Sequence, residues 1–259
     1  MTRTLVLLHG VASNSTRWSE LAAQTTLRGT WKMLCPDLRG NGAAVLPRRR
    51  VGMDEWCSDI AAMLDAERCE QAVVGGHCLG ANIALNFAAR FPRRVAGLVL
   101  VEPMPRAALA GKTRYVALLR PLVLAAAGVI GALNGAGLYR RRLLPLDLEA
   151  LDRATRKGDA QLSSYASPLF DLKTTPSAAF LRMLAAMVEP WPDLSSIRVP
   201  ALAFVSARTT FADPALTRRK LAALADCEVV ELDAEHWIPT EQPEAMREAI
   251  DGWIVKRFS

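Results

Sequence analysis

Residues 72–90 read Ala72-Val73-Val74-Gly75-Gly76-His77-Cys78-Leu79-Gly80-Ala81-Asn82-Ile83-Ala84-Leu85-Asn86-Phe87-Ala88-Ala89-Arg90. A short apolar run leads straight into a Gly-x-Cys-x-Gly pentapeptide, and that into a segment with helical spacing. A Gly-x-nucleophile-x-Gly pattern between strand and helix marks a tight turn that holds one side chain proud of a sheet edge. The glycines are needed because a strand meeting a helix so closely leaves no room for Cβ atoms. Cys78 occupies the nucleophile position, where serine is the usual residue. The alternative is a small buried cysteine beside a tight turn, since free cysteine often serves only as core.

Outward from this stretch, short β-rich runs alternate with amphipathic segments, the pattern of a parallel sheet wrapped by helices. Strands are predicted at 5–8, 31–35, 72–75, 95–101, 201–205 and 228–232. Helices are predicted near 16–27, 53–66, 79–90, 214–225 and 243–258. Asp213-Pro214 is a good helix start, a capping carboxylate followed by proline at the first helical position. Between 104 and 197 the alternation breaks and leucine, alanine and valine recur at helical spacing. The predicted organisation is an α/β core, 1–103 and 198–259, interrupted by a helical cap, 104–197.

The 259 residues, 51% hydrophobic and 22% charged, describe a folded globular chain. Five cysteines, without CxxC spacing or paired histidines, predict neither a disulfide framework nor a zinc site. A reducing, cytoplasmic compartment is expected, and residues 1–4 run directly into the first apolar stretch with no signal peptide. The net charge is +6. Twelve Lys/Arg and seven Asp/Glu lie between 104 and 197, so nearly all the excess sits there. A solvated basic face or a patch for an anionic partner both fit. No aromatic-basic interleaving or nucleic-acid motif is present, which excludes a nucleic-acid partner.

Residues 121–138 form an apolar run broken by Asn134 and several glycines. Eighteen residues is at the short edge of a membrane span. A pair of helices over a greasy pocket fits better, with contact to a membrane surface as an alternative. No stable membrane span is expected.

A thiol needs a base to become the reactive thiolate, and histidine serves near neutral pH. Of the three histidines, His9 belongs to the turn after the first strand, and His77 sits inside the elbow, its side chain pointing away from that of Cys78. His236 remains, at the carboxyl end of the last strand, where α/β sheets place their sites. A third group should orient it. Glu102, leaving an apolar strand at its carboxyl end, is preferred over Asp213, whose position before Pro214 suits capping; a Cys-His dyad is the remaining possibility. The oxyanion of an acyl-transfer step requires donors. The backbone N–H of Leu79 is one, and that of Val11, in the turn after the first strand, is the other.

With these residues placed, the chain resembles the α/β-hydrolase superfamily. Leu7-Leu8-His9-Gly10 with Trp18 resembles its oxyanion turn, and Asp37-Leu38-Arg39-Gly40-Asn41-Gly42 its Asp-x-Arg-Gly-x-Gly loop, with Ala44 where serine is common. His236 with Glu241, Pro243 and Glu244 resembles the catalytic-histidine segment. The resemblance implies a trimmed, mainly parallel sheet of about six strands, since the first strand corresponds to the family's third. It also implies an acid after the seventh family strand, where Thr209 stands; members with the acid after the sixth strand favour Glu102. Cysteine for serine is similar to dienelactone hydrolases and cysteine thioesterases.

The expectation is therefore an acyl-transfer enzyme with catalytic Cys78, His236 and Glu102 (alternative acid Asp213), oxyanion donors Val11 and Leu79, no metal and no cofactor. Its substrate would be an ester or thioester of a hydrophobic acyl group, with Leu118, Leu119, Leu122, Val123, Leu124, Val129 and Ile130 as the apolar cap. The acyl-thioester intermediate would go to water, or to another acceptor as in an acyltransferase or cyclase. An acidic carrier protein or coenzyme A is a possible partner for the basic segment. A non-catalytic binding protein built on the same fold is the alternative from another class.

Overall fold

Strand alternation builds two cores on one sheet. Leu5 and Leu7 of the first strand point to one face with Val73, Val99, Val101 and Phe204, while Val6 and Leu8 point to the other with Val74, Leu98 and Leu100. Such strands, apolar on both faces, belong to a sheet covered by helices on each side. The computed structural model describes residues 3–45, 50–139, 141–158 and 167–258. Its strands are β1 (Arg3–Leu8), β2 (Trp31–Leu34), β3 (Ala72–His77), β4 (Val95–Val101), β5 (Ala201–Ser206) and β6 (Cys227–Leu232). All pair in parallel in the order β2-β1-β3-β4-β5-β6. The expected six-stranded α/β-hydrolase fold is what the chain adopts.

The helices are α1 (Ser19–Gln24), α2 (Met53–Ala66), α3 (Leu79–Arg90), α4 (Gly111–Leu118), α5 (Arg120–Gly135), α6 (Leu148–Lys157), α7 (Pro168–Thr174), α8 (Ser177–Met187), α9 (Pro214–Leu221), α10 (Ile238–Glu241) and α11 (Pro243–Phe258). Helices α2 and α3 bury Trp56, Ile60, Ile83 and Phe87 against one face, while α11 buries Ile250, Trp253 and Ile254 against the other.

The register sets the site. Leu8 pairs with Gly76, His77 with Val101, and Val101 with Phe204, so the carboxyl ends of β1, β3, β4 and β5 finish nearly level. The chain order reverses between β1 and β3, and ligands of open α/β sheets bind beside such a switch point.

Two expected helices are shorter than the periodicity suggests. The 16–27 segment is a 3-10 turn, Ser15–Trp18, followed by α1, which ends at Gln24. Asp251 on α11 draws the chain away: its carboxylate accepts from the Thr25 hydroxyl at 2.5 Å and the Thr26 amide at 2.8 Å. After Leu221 the chain leaves α9 in turns, short of the expected end at 225.

Between β4 and β5 lie α4 to α8, with no strand among the described residues. The apolar run at 121–138 is not a pair of helices over a pocket. Residues 120–135 form the single helix α5, which packs on α8 and leaves its far side in solvent. Leu118, Leu119, Leu122 and Val129 are exposed, and none of the seven apolar cap residues named from the sequence lines the cavity beside Cys78. Helical spacing marks an apolar face but not which neighbour covers it.

A buried ion pair ties this helical excursion to the core. Arg17 donates to both carboxylate oxygens of Asp152 on α6, at 2.9 and 3.0 Å, and to the Thr240 hydroxyl at 2.8 Å. Thr240 donates in turn to Asp152 at 2.9 Å. Both charges are almost fully buried. Such a pair tolerates loss of one partner poorly, because the other charge is left in a low-dielectric interior.

Candidate active site

Cys78 sits between β3 and α3 with φ 54° and ψ −113°, a conformation sparsely populated by non-glycine residues. The glycines around it permit the bend. A Cβ on Gly76 would lie 2.5 Å from the Gly80 backbone carbon and 2.7 Å from the Leu8 carbonyl, and one on Gly80 would collide with that same carbonyl. The turn after β1 closes on the elbow as well: a Cβ on Gly10 would be 3.4 Å from the Cys78 Cβ.

Glu102 is the residue after β4 and also has positive φ, 50°. The left-handed step redirects its buried side chain across the end of β5. One carboxylate oxygen accepts the Ser206 amide, and the other lies 3.0 Å from His236 Nδ1. His236 is buried, and burial alone lowers an imidazole pKa. Its interactions with Cys78 and Glu102 outweigh that and carry it up to about 10. With Nδ1 committed to Glu102, Nε2 is the ring nitrogen left for Cys78.

Asp213 does not join them. It is exposed, and its carboxylate caps α9, accepting from the amides of Ala215 at 2.8 Å and Leu216 at 3.0 Å. Thr209, at the acid position implied by the resemblance, accepts the Phe211 amide in the loop after β5.

The structure gives supporting contacts to residues for which the sequence specified none. His77 does not sit idle: its Nε2 donates to the His236 carbonyl at 3.1 Å, and the two rings lie 5.0 Å apart. Burial, then the charge of His236, holds the His77 pKa well below its ordinary value, so it acts as a neutral donor. His9 is likewise neutral, lowered to about 4 chiefly by burial. Its Nε2 accepts the Leu38 amide at 2.9 Å while Nδ1 bonds the Gly10 carbonyl, which ties the turn after β1 to the loop after β2. In that loop Asp37 accepts from the amides of Ser15 and Ala43, both at 2.7 Å. Burial raises the Asp37 pKa, but these bonds bring it below the ordinary carboxylate value. Glu241 accepts the amides of Glu235, His236 and Trp237, which sets the turn that carries His236.

Asn82, one helical turn beyond Cys78, uses all its hydrogen-bonding capacity. Its amide donates to the carbonyls of Met104 and Met187 at 3.1 and 3.0 Å, and its oxygen accepts from the Met104 amide and Trp191 Nε1. Both methionine sulfurs thereby rest on Cys78, at 3.5 and 3.9 Å from Sγ. The sequence signal was a lone polar residue inside an otherwise apolar first turn of α3.

A cavity of about 270 Å³ opens above this arrangement. Val11, Cys78 and His236 stand at its base, and Val116, Leu148, Phe180, Leu184, Phe211 and Trp237 supply its apolar walls. Leu79 heads α3, and the first N–H groups of a helix have no intrahelical acceptor, so its amide is free to face a ligand. Among the described residues no cluster of His, Cys, Asp and Glu could hold a metal ion.

The fold, the elbow and the histidine turn place the chain among known proteins. It matches the alpha/beta hydrolase family over residues 5–249, and it belongs to that family. Among its relatives, the uncharacterized Mycobacterium tuberculosis protein Rv2715 is 31% identical over 200 residues, covering 71% of this chain and 53% of that protein. The chain thus spans about half the length of that curated relative. Lipase LipV of the same organism is 26% identical over 256 residues, covering 92% of this chain and 88% of the lipase. The solved enol-lactonase of Burkholderia xenovorans superimposes with a TM-score of 0.72 at 21% identity, over 98% of this chain and 92% of the other.

Proposed function

We propose that the chain is a hydrolase of esters or thioesters of a hydrophobic acyl group, working through Cys78, His236 and Glu102. The observation that supports it most directly is the Glu102–His236 contact of 3.0 Å, which orients an imidazole in the cavity that holds Cys78. Residues 104–197 serve in this reading as the cap that supplies much of the acyl pocket.

His236 Nε2 is placed to hold the proton of Cys78 as the sulfur reacts. The sulfur attacks the substrate carbonyl, and the oxyanion is met by the amides of Val11 and Leu79. Collapse expels the alcohol or thiol, which takes the proton from His236 Nε2. Neutral His236 then accepts a proton from water as the water attacks the acyl-thioester. The acid leaves, Cys78 departs as thiolate, and His236 is again protonated. Glu102 stabilises the imidazolium in both halves. Supplying an amine in place of water would divert the same intermediate to transfer, because thioesters react readily with amines.

The test is intact-mass analysis after incubation with a p-nitrophenyl ester of a medium-chain acid. An acyl adduct that maps to Cys78, absent in Cys78→Ala, is expected. No adduct and no turnover across pH 6–9 would leave a binding protein in place of an enzyme.

A further inference from the structure

Helix α5 is apolar nearly all round, Arg120 and Asn134 being its polar side chains. Its inner face packs on α8, while its outer face presents Leu122, Ala125, Ala126, Val129 and Leu133 to solvent, with Ala136 just beyond its end, and no polar or charged side chain is among them. Leu122 is 67% exposed and Val129 62%. The patch continues into neighbouring turns, through Leu118 on α4 at 73% and Leu138 at 76%. A helix apolar all round is ordinarily buried or in contact with lipid, and contiguous exposed patches of this kind mark an interaction surface.

The segment that carries the patch is charged with one sign, although Glu189, paired with Arg120, and Asp54 and Glu55, in the cleft beside Leu124, border its inner side. From Pro103 to Leu146 the sequence contains no Asp or Glu and seven Lys/Arg, Arg106, Lys112, Arg114, Arg120, Arg140, Arg141 and Arg142. Arg120 is paired with Glu189, Arg140 lies outside the described residues, and Lys112, Arg114, Arg141 and Arg142 are exposed. An apolar face with a basic rim is the composition that enters the headgroup region of an anionic bilayer. A two-fold contact between copies of this face would bring the two basic rims together, which disfavours a dimer there. No single helix among the described residues is long and apolar enough to span a membrane; α4 and α5 together have the length but bend by 74°. That bend suits a segment lying in the interface.

We propose that the outer face of α5, with the exposed turns of α4 and the basic run after it, docks the chain on an anionic lipid surface. Helix α4 also joins this surface to the cavity: Lys112, Thr113 and Val116 line the cavity, while Tyr115 and Leu118 on the same helix are exposed. Lipid-borne acyl chains would therefore reach the pocket along α4, a consequence that rests on the proposed acyl chemistry; the docking itself does not.

The experiment is flotation of the full chain with phosphatidylcholine vesicles, with and without phosphatidylglycerol. Partitioning is expected only with the anionic lipid, to fall roughly fivefold for each rim charge removed by Arg114→Gln or Arg142→Gln, and to be lost in Leu122→Glu and Val129→Glu. Circular dichroism and turnover of a water-soluble short-chain ester check that these exposed substitutions leave the fold intact. Cys78→Ala should float like the wild type, which separates docking from catalysis. Equal partitioning onto both vesicle types, no partitioning, or glutamate variants that float normally would overturn the proposal. So would a concentration-dependent dimer abolished by Leu122→Glu without any vesicle binding, or binding of this face to an acidic carrier protein without any vesicle binding.

Discussion

Glu102 reaches over the end of β5 to place a carboxylate oxygen 3.0 Å from Nδ1 of His236, although 134 residues separate the two in the chain. The reach depends on the positive φ at Glu102, a strain of order 1–3 kcal/mol that the paired strands on either side hold in place. Asp213 spends its carboxylate on the start of α9.

Glu102→Gln should lower kcat by on the order of 10²–10⁴-fold, whereas Asp213→Asn should leave it within about twofold. The pH profile carries a second readout. His236 stays protonated up to about 10 partly because of Glu102, so removing that charge lowers its pKa. The alkaline limb of kcat/KM is then expected to move to lower pH in Glu102→Gln. A full-activity Glu102→Gln with an inactive Asp213→Asn would reverse the assignment.

The cysteines should separate by reactivity. Burial pushes the Cys35 thiol up to about 12 and those of Cys57 and Cys227 up to about 11, so all three remain thiols at pH 7.5. Limiting iodoacetamide is expected to alkylate Cys78 well before these three. His236→Ala should slow that reaction roughly tenfold or more. Peptide mapping by mass spectrometry reads both, and preferential labelling of Cys35, Cys57 or Cys227 would contradict Cys78 as the nucleophile.

Breaking the buried pair between Arg17 and Asp152 should cost about 3–5 kcal/mol in urea denaturation when Asp152 alone becomes Ala. The double variant Arg17→Met/Asp152→Leu is expected to recover part of that loss, since neither charge is then stranded. The helical excursion should show the change first, as faster proteolysis near α6 in Asp152→Ala.

Asp171, on the cavity wall, titrates in the neutral range: burial raises its pKa from 3.8 to about 7. The folded state therefore binds a proton that the unfolded state releases between about pH 4 and pH 7. Stability associated with this group is fully present below pH 3.8 and lost as pH rises through 7. Asp171→Asn, which cannot ionise, should raise Tm at pH 8 by several degrees and leave it unchanged near pH 4; about 1 kcal/mol corresponds to 2–4 °C at this chain length. Thermal scans at the two pH values decide it.

Much of this protein can be read from local sequence. The short apolar β-rich runs, the glycines at 76 and 80 and the Asp213-Pro214 helix start carry their own physics, because strand propensity, Cβ clashes and capping act over a few residues. Cys78 and His236 stand out for the same reason, one by its turn and the other by elimination among three histidines.

The apolar residues of α5 show where local pattern ends. Their helical spacing was plain, yet they face solvent rather than the acyl cavity, whose walls come instead from Phe180, Leu184, Phe211 and Trp237. Asn82, His77 and the pair of Arg17 with Asp152 were likewise invisible as functional supports. Each acts on partners brought close only by the parallel register of the sheet and the return of the chain through α6, α8 and α10. Sequence by itself determined the elements and the turn that presents the sulfur, since those follow from short-range sterics and hydrophobic period. Tertiary structure decided which carboxylate meets the imidazole and which apolar face stays uncovered, since both depend on contacts between segments far apart in the chain, β4 with the His236 turn in one case and α5 with α8 in the other.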